Sequence, residues 1–110
     1  MGLDIKSVQT SIEKGYVRFL ARLVDDSELH IFEYVDYNLR KIKYAYHYQD
    51  HEGRMIFRYD NEPHCPSLPT FPHHKHLAES REPIGSMEEP IENVLREVAR
   101  TLARARGHQR

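Results

Sequence analysis

The chain reads as an α+β domain: a four-stranded antiparallel meander with a short N-terminal helix and a C-terminal helix packed on one face. Three patterns lead there. Ile42, Tyr44, Tyr46 and Tyr48 alternate with Lys41, Lys43, Ala45, His47 and Gln49, the period of two that sends successive side chains to opposite faces of a strand. Met55, Phe57 and Tyr59 repeat that alternation against Arg54, Ile56, Arg58 and Asp60. Ile91, Val94, Leu95, Val98 and Leu102 instead recur at threes and fours, the spacing of one helix face.

Taken in order, residues 4–13 place Ile5, Val8 and Ile12 at spacings of three and four, which predicts a short helix closing near Gly15. Residues 16–24 are rich in strand formers, Asp25, Asp26 and Ser27 supply turn chemistry, and 28–35 resume the strand character, giving a hairpin. A second turn at residues 36–39 leads into the alternating strand at 40–49. Asp50, His51, Glu52 and Gly53 connect it to the next strand at 54–60. Residues 81–86 read as a loop. Ser86 and Glu89 have capping-box spacing ahead of a helix over 87–106, with Pro90 tolerable only in its first turn and Gly107 as its stop. The closing GHQR is expected to be disordered.

The length of 110 residues fits one domain, 1–110, with one modest core. Sixteen Lys and Arg against 17 Asp and Glu give a net charge of −1, so affinity for a polyanion must come from a local patch. Cys65 is the single cysteine and has no partner for an internal disulfide. No signal segment and no membrane-length apolar run is visible, which suggests a cytoplasmic protein with no membrane partner.

Residues 59–76 stand apart, because Pro63, Pro66, Pro69 and Pro72 recur every third residue and run into His73, His74, Lys75 and His76. Polyproline II has three residues per turn, so this spacing predicts an extended strap with its prolines on one edge. Cys65, Leu68 and Phe71 form a second, apolar edge, and His64, Ser67, Thr70 and His73 a third. Its Pro-x-x-Pro pattern suits aromatic-groove ligands, but Leu68 and Phe71 favour packing onto its own domain. His64, Cys65, His73, His74 and His76 have the chemistry of zinc ligands. Extended geometry would nonetheless separate residues 64 and 73 by about 28 Å, against a coordination sphere roughly 4 Å across, and the spacing matches no common zinc motif. Neither a metal nor a cofactor is expected.

With the C-terminal helix covering one sheet face, the other would carry Lys43, His47, Arg54 and Arg58. The alternating tyrosines would fill the core or offer stacking surfaces to unpaired bases, with core packing preferred. His47 and Arg58 on neighbouring strands match RNA cleavage by 2′-hydroxyl attack, which needs proton transfer and stabilisation of a phosphorane-like charge. His73 or His74 would add an acid or base, and Lys75 a phosphate contact. The opposing reading makes His47 a partly buried sheet histidine and pairs Arg58 with Asp60 or another carboxylate. Arg96, Arg100, Arg104 and Arg106 read as a solvated helix face.

The run YAYHYQDHEGRMIFRYDNEPHCPSLPTFPHHKH, residues 44–76, resembles the signature of the TumE family, small toxins of prokaryotic type II toxin–antitoxin pairs. The matching positions are His47, Gln49, Arg58, Tyr59, Asp60, Asn61, Pro63, His64, Pro66, Pro69, Phe71, Pro72, His73, His74 and His76. The resemblance implies a toxin neutralised by a small helix-turn-helix antitoxin encoded beside it, and supplies no reaction. Joined to the residue chemistry, it gives a candidate metal-independent endoribonuclease with His47, Arg58, His73 and His74 as catalytic groups. Lys43, Tyr59, Asp60, Asn61, His64, Lys75 and His76 would contact substrate. The alternative is a non-enzymatic module that binds RNA, the ribosome or a protein and works only with a partner. A homodimer through a free sheet edge is compatible with a meander.

Overall fold

Lys14 and Gly15 both take positive φ, 50° and 87°, the two-residue turn whose twist suits antiparallel strands. A Cβ at Gly15 would lie 2.7 Å from the Val35 carbonyl oxygen, so the turn needs glycine both for its φ and for space. The turn joins β1 (Ile5–Glu13) to β2 (Tyr16–Leu23), paired from Ile5↔Leu23 to Glu13↔Tyr16 with a register shift between Ile5 and Ser7. The expected N-terminal helix is therefore a strand. Its Ile, Val, Thr and Ser residues are stiff or backbone-competing in a helix and suit a pleated ribbon.

The computed structural model describes residues 3–108. After β2 come β3 (Glu28–Val35), β4 (Lys41–Gln49), β5 (Met55–Asp60), β6 (His74–Leu77), β7 (Ile84–Gly85) and α1 (Ile91–His108). All the strands join one antiparallel sheet in sequence order, seven strands where the pattern predicted four. Besides β1, the additions are β6, which is the histidine-rich end of the supposed strap, and β7, inside the supposed loop. The hairpin turns after β2 and β4 lie where expected. Asp25 accepts from the Ser27 amide, and Asp50 accepts from the Glu52 and Arg54 amides.

The strap is not extended. Three successive turn bonds, Leu68 to Cys65, Phe71 to Leu68 and His73 to Thr70, coil residues 65–73, and the Phe71–Pro72 peptide is cis. Turns replace polyproline II because this segment must reverse direction between β5 and β6, which pair from Phe57↔Leu77 to Asp60↔His74. Phe71, assigned to an apolar edge, is 44% exposed. The capping box is also absent: the Ser86 hydroxyl donates to the Met87 carbonyl and Glu89 accepts from the Asn93 side chain. The Pro90 carbonyl takes the first helical amides instead, so the helix starts at Ile91. It runs past Gly107 to His108. Of the tail expected to be disordered, residues 109 and 110 lie outside the described residues.

The core lies between α1 and one sheet face. Val94, Val98 and Leu102 are buried against Ala21, Leu23, Leu29, Tyr44, Tyr46, Tyr48, Phe57 and Tyr59. Each helix side chain so covered contributes about 1.5–3 kcal/mol. The tyrosines are core, and their hydroxyls reach polar groups at its margin: Tyr46 donates to Glu33, Tyr48 to Ser27 and Tyr59 to Glu97. Burial, reinforced by Glu33, pushes the Tyr46 phenol well above its ordinary range. Arg96, Arg100 and Arg104 do face outward.

Glu97 clamps the helix to the sheet by accepting from Tyr59 and, at 2.8 Å, from Lys75 on β6. Removing it strands a buried hydroxyl and an ammonium that is only 15% exposed. Glu97→Ala is expected to cost about 2 kcal/mol of unfolding free energy. A urea midpoint matching that of the unaltered chain would overturn this.

Candidate functional site

Strand alternation sends the tyrosine row to α1 and leaves the opposite face uncovered by the helix. There the register aligns Leu20, His30, His47, Arg58 and His76 directly across five adjacent strands, β2 to β6. Two residues along, Arg18, Phe32, Ala45, Asp60 and His74 form a parallel row. Arg18, His30, Phe32, His47, Arg58 and Glu62 line a cleft of about 540 Å³ on this face. Arg18 stacks 5.0 Å above the Phe32 ring.

His47 and Arg58 are thus brought together, as expected. The Arg58 Nε donates to Asp60 at 3.0 Å, the pairing that the opposing reading foresaw, and the same guanidinium still lines the cleft. His47 is half-buried beside Arg58 and His30. Its Nε2–H donates to Gln49 Oε1 at 3.1 Å, because the Gln49 amide nitrogen is committed to Glu28, and Nδ1 is left buried without a hydrogen-bond partner. Desolvation lowers the pKa of His47, and the charges of Arg58 and His30 add to that effect.

His30 is the residue that sequence reasoning missed. Its Nε2–H donates to Glu28 at 3.1 Å and its ring meets His47 edge-on at 5.9 Å. Glu28 also holds Arg22, so the carboxylate fixes both the tautomer and the direction of a side chain that is 45% exposed. The available signal was its parity in ELHIFEYV, which matches that of His47 once the β3–β4 hairpin register is known.

Other predicted site residues go elsewhere. His73 shares a 3.0 Å hydrogen bond with the Tyr44 hydroxyl and stacks on its ring beside the core. Tyr59 and Lys75 face α1 through Glu97. Asn61 bridges β4 backbone, donating to the Ile42 carbonyl and accepting from the Tyr44 amide. Lys43 lies 3.7 Å from Glu62. Arg54 is tied to Asp50 and Glu52 in its turn. His74 is fully buried, 2.8 Å from a buried Asp60, with His64 and His76 packed around it. A side chain so enclosed does not touch a substrate on the open face.

The fold is a seven-stranded antiparallel sheet covered on one face by a single helix, with an imidazole–guanidinium row across the other face. The chain matches the family model described as toxin TumE over residues 3–103, and it belongs to that toxin family. No curated protein and no solved structure matches it. Among the described residues, no helix is long and apolar enough to cross a membrane.

Because the folded state depresses the His47 pKa, it binds fewer protons than the unfolded chain as pH falls through the ordinary histidine range. The stability attached to neutral His47 is present above that range and lost on acidification. His76, also lowered chiefly by desolvation, acts in the same sense. Between pH 7.5 and 5.5 the unaltered chain should lose more stability than His47→Gln. Equal losses in chemical denaturation would show that His47 is not desolvated.

Proposed function

We propose that this TumE-family toxin acts on RNA as an endoribonuclease, with the open sheet face as its working surface. The observation that carries the reading is the transverse row His30, His47 and Arg58, which offers proton transfer and positive charge within one cleft, with His76 next in register beyond it. His30 is the general base: Glu28 holds its Nε2–H, so in the neutral ring Nδ1 bears the lone pair that takes the 2′-hydroxyl proton. The 2′-oxygen then attacks phosphorus, the bond to the 5′-oxygen breaks, and the leaving oxygen takes a proton from water. Arg58, steadied by Asp60, stabilises the charge on the pentacovalent phosphate. His47 stays neutral between these two groups and keeps Gln49 and Glu28 in register. The Arg18–Phe32 stack lies along the cleft where an unpaired base would rest.

The cleavage needs no bound metal for its proton transfers. His73 and His74, first placed among the catalytic groups, are in this reading structural. The family expectation of a helix-turn-helix antitoxin as neutralising partner stands beside it. Support for partner docking comes from β1, an edge strand whose Ile5, Val8 and Ile12 are exposed.

The tag-free chain should cut single-stranded RNA and leave 2′,3′-cyclic phosphate ends, and should spare DNA of the same sequence. Arg58→Ala and His30→Ala, each folded by circular dichroism, are expected to lower the rate about 10²–10³-fold. Binding without cutting, by a chain that still arrests bacterial growth, would replace the enzyme with a binding module.

A further inference from the structure

The coiled strap removes the geometric objection to a metal. Residue 64, placed about 28 Å from residue 73 by an extended strap, instead lies with its ring centroid 4.5 Å from that of His74 and 5.9 Å from that of His76. Asp60, His74 and His76 bring one carboxylate oxygen and two imidazole nitrogens within 4.8 Å of one another. A tetrahedral ion with bonds of about 2.1 Å needs donors about 3.4 Å apart. His74 Nε2 lies 2.8 Å from Asp60 Oδ1, and His76 Nε2 lies 3.7 Å from the other carboxylate oxygen, Oδ2, so a small outward shift of these side chains opens the spacing an ion requires.

The state of His74 is the second observation. Its Nδ1 faces the Pro72 carbonyl at 2.9 Å, and since a carbonyl can only accept, Nδ1 carries a hydrogen. Nε2 therefore holds the lone pair of the neutral ring. That atom belongs to a side chain with no exposed surface, and no hydrogen bond satisfies it. Its near neighbour, Asp60 Oδ1, approaches off the hydrogen-bonding axis. In that neutral ring two electron-rich atoms face each other in a buried site, and a cation between them relieves the conflict. A metal-bound histidine whose far N–H is held by a backbone carbonyl is the usual way a protein orients such a ligand.

We propose that Asp60, His74 and His76 bind one divalent transition-metal ion of the zinc class, His74 through Nε2. Mixed imidazole and carboxylate donors suit zinc and exclude calcium or magnesium, which take oxygen. Arg58 occupies Asp60 Oδ2, which leaves Oδ1 for the ion. The ion locks β6 to the end of β5 beneath the strap. His64 and Cys65 form a second cluster with His74, but His64 is exposed, and the buried donors belong to the first. The site is independent of whether RNA is cut.

The test is made on the tag-free full chain, stripped with chelator and titrated with Zn²⁺ alone. Calorimetry should show one ion per chain, and saturation at about 100 times the dissociation constant should raise the melting temperature by about 10 °C. Asp60→Asn and His74→Gln should weaken binding at least about 100-fold, and Cys65→Ser should leave it unchanged. If His74→Gln does not fold, His76→Ala, at a partly exposed position, takes its place with the same expected loss. Binding no tighter than in these variants would show an ordinary proton-sharing pair at Asp60 and His74 and overturn the site. Loss in Cys65→Ser would likewise overturn it in favour of the strap's own cluster.

Discussion

The buried carboxylate of Asp60 is the point on which the face of the sheet opposite α1 depends. It ends β5, is 2% exposed, and touches three elements: Arg58 on its own strand, His74 and His76 on β6, and the Glu62 amide at the start of the strap. A lone carboxylate at that depth would be costly, and the Arg58 guanidinium and the Glu62 amide offset the desolvation. The arrangement orients the guanidinium that faces the cleft and fixes where the chain leaves and rejoins the sheet. The open face is therefore organised from inside the fold.

Strand parity then divides the histidine-rich segment. His74 and His76 point to the side of the sheet away from α1, where His74 is enclosed, whereas Lys75, between them, points to α1 and its partner Glu97. His73, one residue before β6, lies with Tyr44 at the core margin. Four adjacent residues that read as one basic cluster thus serve three environments. A pattern of residue types gives the chemistry available, and the period of two decides which members meet.

Legibility in the sequence followed the same line. The tyrosine strand, the turns at Asp25 and Asp50 and the α1 stripe were readable because each rests on a local rule of period or turn chemistry. Residues 4–13 were misread because Ile5, Val8 and Ile12 fit helical spacing, while the decisive signal, Lys14-Gly15 as a hairpin turn, lay just beyond. β1 has no buried face to impose alternation, so its period carries no information. The strap was misread because proline spacing describes what an isolated segment prefers, and pairing of β5 with β6 overrode it. His47 and Arg58 were found from alternation, but His30 required the β3–β4 register, which no local pattern encodes.

The wide sheet with one helix raises a packing problem that the tyrosines solve. Large phenol rings extend the apolar layer from the helix stripe toward the sheet margin, and each hydroxyl must then end near a polar partner. Glu33, Ser27, Glu97 and His73 stand at those four ends. Phenylalanine would fill the same volume but leave these polar groups without their hydroxyl partners, and leucine would not reach them. The tyrosine row on the α1-facing side is thereby committed to packing. The imidazoles and the guanidinium that this packed layer could not hold are gathered by the same alternation on the opposite face.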